Sequence, residues 1–92
     1  MSWNVEYRSS VEKDVSRLPE DIRARVFQEI ARLGSDPFPR GCKKLKGQSS
    51  RVSLRYRIRI ARDYRLVYSV FEGQRLIKVE FVGHRKDAYR WF

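Results

Sequence analysis

Arg55, Arg57 and Arg59 occupy alternate positions in the stretch Arg51-Val-Ser-Leu-Arg-Tyr-Arg-Ile-Arg59, and Val52, Leu54, Tyr56, Ile58 and Ile60 form the complementary series. A period of two belongs to a β-strand, whose successive side chains point to opposite faces. One face is therefore apolar, and the other carries guanidinium groups about 6.6 Å apart. Guanidinium is a permanent cation with five donors in a planar fork, which matches phosphate oxygens. The strand is expected to build a core on one side and meet an anion on the other. A basic loop between Asp36 and Ser50, with Arg40, Lys43, Lys44 and Lys46, leads into it.

Other chemistries are poorly supplied. There is one histidine, His84, and one cysteine, Cys42, while the acidic residues after position 39 are Asp63, Glu72, Glu80 and Asp87. Metal sites need clustered ligands, so no metal and no cofactor is expected. A lone histidine leaves a Ser-His-Asp triad incomplete, and no glycine-rich phosphate loop is present. Arginine, lysine and tyrosine remain.

The net charge of +10 is unevenly distributed: residues 1–39 hold six Lys/Arg against seven Asp/Glu, and residues 40–92 hold fifteen against four. Such asymmetry points to a polyanionic partner. A membrane surface would favour a basic amphipathic helix, whereas these arginines alternate at strand spacing, so nucleic acid is the expected partner. No apolar run is long enough to span a bilayer, and Met1-Ser-Trp-Asn4 lacks the start of a signal peptide. A cytoplasmic location is expected.

Ninety-two residues suit one domain over 1–92 with a single core. Trp3, Val5 and Tyr7 alternate with polar neighbours and predict an opening strand. Ser9 and Glu12 fit a capping box for a helix from about Ser10 to Leu18, with Val11, Val15 and Leu18 on one side. Pro19, Glu20 and Asp21 suit the start of a second helix, whose stripe is Ile22, Val26, Ile30 and Leu33, widened by Phe27, and which Gly34 and Pro37 end. After the arginine strand, Tyr64 to Phe71 predicts a strand with Tyr64, Leu66, Tyr68 and Val70 opposite Arg65, Val67, Ser69 and Phe71. Arg75 to about Gly83 predicts another, with Ile77, Val79 and Phe81 opposite Lys78, Glu80 and Val82. The order is βααβββ, an α+β fold in which a helical hairpin covers one face of a mostly antiparallel twisted sheet.

Two segments carry a resemblance: the strand Asp63-Tyr-Arg-Leu-Val-Tyr68 and the closing Val82-Gly-His-Arg-Lys-Asp-Ala-Tyr89, preceded by the loop Lys44-Leu-Lys-Gly47 and a two-helix N-terminal half. Together, in this order, they resemble the RelE/ParE superfamily of type II toxins, most strongly from Lys44 to Tyr89. The resemblance implies a RelE-type mRNA interferase, which cuts messenger RNA in the ribosomal A site without metal and is held inactive by an acidic, RelB-like antitoxin. It places the basic pair of the central strand on Arg57 and Arg59, the strand arginine on Arg65, the closing arginine on Arg85 and the C-terminal tyrosine on Tyr89.

The residue chemistry suits that reaction. Attack of a 2′-hydroxyl on the adjacent phosphate builds negative charge on a phosphorane, which guanidinium groups stabilise by charge-assisted hydrogen bonds. Arg65 and Arg85 are expected in that role. Tyr89 is the expected base, since surrounding cations favour a phenolate. His84 competes for the role, although in an extended segment it would point away from its neighbour Arg85. Arg55, Arg57, Arg59, Lys44, Lys46 and His84 are the expected substrate contacts. Two other functions use the same residues: a ParE-like toxin that poisons gyrase by contact alone, and a non-catalytic RNA-binding domain.

Overall fold

The computed structural model describes residues 2–45 and 53–91; Lys46, Gly47, Arg51 and Val52 lie outside the described residues. The chain opens with strand β1, Asn4–Tyr7, followed by helices α1, Val11–Ser16, and α2, Glu20–Leu33. The expected capping box is absent. Ser10, not Ser9, is the N-cap, and its side chain makes no capping bond. The helix grows instead from a backbone turn, with the Val11 N–H donating to the Arg8 carbonyl at 2.9 Å. Pro19 sits just before α2, where its missing N–H costs nothing.

Ile22, Val26, Ile30 and Leu33 are buried as the helical period requires. Phe27 does not widen that stripe: it is 57 % exposed, because one residue beyond Val26 turns about 100° around the helix. The hairpin packs on Ile58, Ile60, Leu66, Tyr68, Val70, Ile77, Val79 and Val82 of the sheet. Tyr68 is fully buried, and its hydroxyl donates to the Pro37 carbonyl at 2.8 Å, which satisfies the polar end of an otherwise apolar side chain.

The sheet adds β2, Lys43–Lys44; β3, Leu54–Ile60; β4, Tyr64–Phe71; and β5, Leu76–His84, in the order β1-β5-β4-β3-β2. Among the described residues β1 pairs with β5 in parallel, and the other pairs are antiparallel. β2 falls in the stretch expected to be loop. Two lysines on an edge strand place charge beside unpaired backbone groups and discourage further strand addition. Beyond β5 the chain turns into a short helix α3, Arg85–Ala88, and a 3-10 turn, Tyr89–Trp91.

The register of β5 differs from strict alternation. Val67 pairs with Phe81 and Tyr68 with Val79, so Glu80 is the extra residue of a β-bulge. The bulge shifts the phase: Val82 joins the helix-side core with Ile77 and Val79, while Phe81 turns to the opposite face. There it meets Leu45, Val67, Ala88 and Trp91 in a second small apolar cluster. The arginine face is therefore partly roofed by the C-terminal segment, rather than open along its length. Among the described residues no helix is long and apolar enough to cross a membrane.

Candidate functional site

Pairing across three strands sets the site. Arg59 lies opposite Arg65, and Arg65 lies opposite Gly83. Directly opposed side chains stand about 5 Å apart at their Cβ atoms, so the two arginines leave the sheet side by side on one face. Arg65 is only 9 % exposed, and its Nη1 donates to the carbonyls of Arg62 at 3.2 Å and Tyr64 at 2.9 Å. Burial, then the charges of Arg59, Arg57 and Arg85, pull its pKa below the ordinary arginine value, with Asp63 opposing them. Each cause acts in the expected direction, since like charges and desolvation both disfavour a cation. Two carboxylates stand nearby, Asp63 beside Arg85 and Glu29 in the cleft that Arg40, Arg57, Arg59 and Arg65 also line, so cations remain in excess and attract an anion such as phosphate.

Arg85 is brought in by the β3–β4 connection. Its backbone N–H donates to the Asp63 carbonyl at 2.7 Å, and its Nε stands 3.6 Å from the Asp63 carboxylate. Both side chains are about half exposed, so the ion pair adds little stability but limits where Arg85 points. Tyr89 follows four residues later, at the end of α3, and is 63 % exposed.

The remaining expected residues separate. Arg55 turns to Glu80 at 3.2 Å and to the Ser69 hydroxyl at 3.3 Å, within a buried network. His84 lies opposite Tyr64 and meets its ring edge-on at 5.5 Å, on the side away from Arg65. Its Nδ1 accepts from the Lys86 N–H at 3.1 Å. That bond engages the Nδ1 lone pair and puts the proton of a neutral ring on Nε2. Lys44 pairs with Tyr56, whereas Lys43 pairs with Arg57 and lines a cleft with Arg40, Arg57, Arg59 and Arg65. Adjacent strand residues face opposite ways, so of the two lysines it is Lys43 that joins the site; this follows only once the segment is known to be a strand.

Gly83 is required beside Arg65 because the Phe81 ring folds over it. A Cβ at position 83 would lie 2.7 Å from Phe81 Cζ. Gly83→Val is therefore expected to cost about 1 to 3 kcal/mol by overpacking, measured as a lower urea midpoint. An unchanged midpoint would show that the ring moves aside freely.

A sheet backed by a helical hairpin, with arginines gathered on its second face, defines a small α+β domain with one cationic face. The family described as ParE toxin of type II toxin-antitoxin system, parDE, matches residues 5–89. The chain belongs to this family, within the RelE/ParE superfamily of type II toxins. Among curated proteins, "Putative toxin RelE1" of Methanocaldococcus jannaschii is 33% identical over 93 residues, covering 98% of both chains. Among solved structures, the archaeal RelE-RelB complex from Pyrococcus horikoshii OT3 matches with TM-score 0.80 and 30% identity, over 92% of this chain and 97% of that one. The RelB-RelE antitoxin-toxin complex from Methanococcus jannaschii matches with TM-score 0.72 and 27% identity, over 95% and 98%.

Proposed function

We propose that this toxin is a ribosome-dependent endoribonuclease that cleaves messenger RNA in the A site by metal-independent attack of the 2′-hydroxyl. The observation that carries the proposal is the gathering of Arg57, Arg59 and Arg85 around the buried Arg65, with the exposed Tyr89 one helical turn beyond Arg85. Arg57, Arg59 and Lys43 hold phosphates along the strand. Arg65 and Arg85 face the reacting phosphate. The Tyr89 oxygen takes the 2′-hydroxyl proton; the 2′-oxygen bonds to phosphorus as the bond to the 5′-oxygen breaks, leaving a cyclic phosphate, and the departing oxygen takes a proton from water. Charge on the phosphorane is met by cations already in place, which is the largest contribution such a site makes.

An acidic antitoxin covers the basic face in this account; related chains are solved as RelE-RelB complexes. Expression of the chain alone is expected to arrest growth, and co-expression with such a partner to relieve the arrest. The family match to ParE supports a second function, inhibition of gyrase by contact. Induced expression followed by mapping of transcript 5′ ends separates the two: cuts within translated codons support the nuclease, and intact transcripts with double-strand DNA breaks support the gyrase inhibitor.

Phosphate holding has its own test. The affinity for ribosomes should fall linearly with salt on logarithmic axes, and Arg57→Ala with Arg59→Ala should reduce the slope by roughly 0.7 to 0.9 per lost contact. An unchanged slope in a folded variant would make both residues merely solvated.

A further inference from the structure

The segment that carries Arg85 and Tyr89 is pinned at both ends. At its start the Arg85 N–H is held by the Asp63 carbonyl at 2.7 Å. Beyond Tyr89 the anchor is Trp91. Its ring packs against Phe81 at 6.2 Å between centroids, and two guanidinium groups stand over it, Arg8 at 5.6 Å and Arg55 at 5.1 Å. Arg55 is itself fixed by the buried Glu80, whose Oε2 accepts both from Arg55 Nη2 at 3.2 Å and from the Ser69 hydroxyl at 3.0 Å. Arg8 comes from the end of β1, so the clamp joins the first strand, the middle of the sheet and the last turn.

Ala88 and Trp91 are both drawn into the apolar cluster under this clamp, and Tyr89 between them is thrown outward. The Trp91 ring also buries its Nε1, which finds no hydrogen-bond partner among the described residues. An indole N–H so placed is a cost that the ring's packing must outweigh. The ring therefore acts through its faces, and cations over an indole face are the strongest form of that contact.

We propose that Trp91, clamped by Arg8 and the Glu80-anchored Arg55, is a positioning residue that holds Tyr89 and Arg85 against the sheet. The proposal rests on the nuclease function for its kinetic consequence, but the order of the segment can be measured without it. The test compares Trp91→Ala, Trp91→Phe and Arg8→Ala with the parent chain. Single-turnover cleavage on saturating ribosomes, ribosome affinity, and amide hydrogen exchange of residues 85–91 are read for each.

Trp91→Ala should cleave at least about tenfold more slowly with ribosome affinity within about twofold of the parent, and exchange in the segment should accelerate, because the group that pins the turn is gone. Phe keeps a ring face for the guanidinium groups and should recover much of both. Arg8→Ala, an exposed change that leaves the core intact, should shift both in the same direction by less. Parental exchange in the segment of Trp91→Ala would overturn the proposal, as would a cleavage loss matched by an equal loss of ribosome binding. If the parent itself does not cleave, the nuclease function fails, and the exchange comparison alone decides whether Trp91 holds the segment.

Discussion

Tyr89→Phe should lower single-turnover mRNA cleavage by at least about a hundredfold, within the 10² to 10⁴ range of general acid–base groups, while binding to ribosomes persists. The substitution keeps the ring and deletes only the oxygen. Tyr89 is 63 % exposed, so the substitution falls outside the buried core. Stability and ribosome affinity are therefore expected to hold. A Phe variant that cleaves at the parent rate would remove Tyr89 from the mechanism. A Phe variant that no longer binds would show the hydroxyl to be a binding or structural contact.

Arg85→Ala should have a comparable effect for a different reason. It removes a guanidinium from the phosphorane, a loss of about 10² to 10³ in rate by analogy with a deleted oxyanion-hole donor. Its ion pair with Asp63 is half exposed, so folding should be nearly unaffected. Arg65→Ala should slow cleavage as much but also destabilise the fold, since Arg65 is buried and its Nη1 serves two backbone carbonyls. The contrast is diagnostic. Parallel measurements of rate and urea midpoint should separate the two arginines, and equal losses of stability would contradict the placement of Arg85 at the rim.

Strand and helix periodicity made the arginine pattern of β3, the apolar stripe of α2 and the faces of β4 legible from residue types alone, because each depends on neighbours within a few positions. The bulge at Glu80 did not show. It exchanges the faces of Phe81 and Val82, and its cause is pairing with β4, which lies outside the local pattern. The same limit hid β2: Lys43 and Lys44 have no strand signal of their own and become a strand by pairing with Arg57 and Tyr56. Arg55 shares its period with Arg57 and Arg59, yet Glu80 and Ser69 draw it into a buried network. Position 80 reaches Arg55 only through the intervening strand. The clamp on Trp91 was invisible for a similar reason, since it joins residues 8, 55 and 91.

The central claim is most directly tested with the purified chain and ribosomes programmed with a defined messenger RNA, in the presence of a metal-chelating agent that leaves the ribosome assembled. The account predicts a cut within the A-site codon, a cyclic phosphate on the upstream fragment, and no cutting of the same RNA without ribosomes. Intact messenger RNA on ribosomes that have bound the toxin would contradict it.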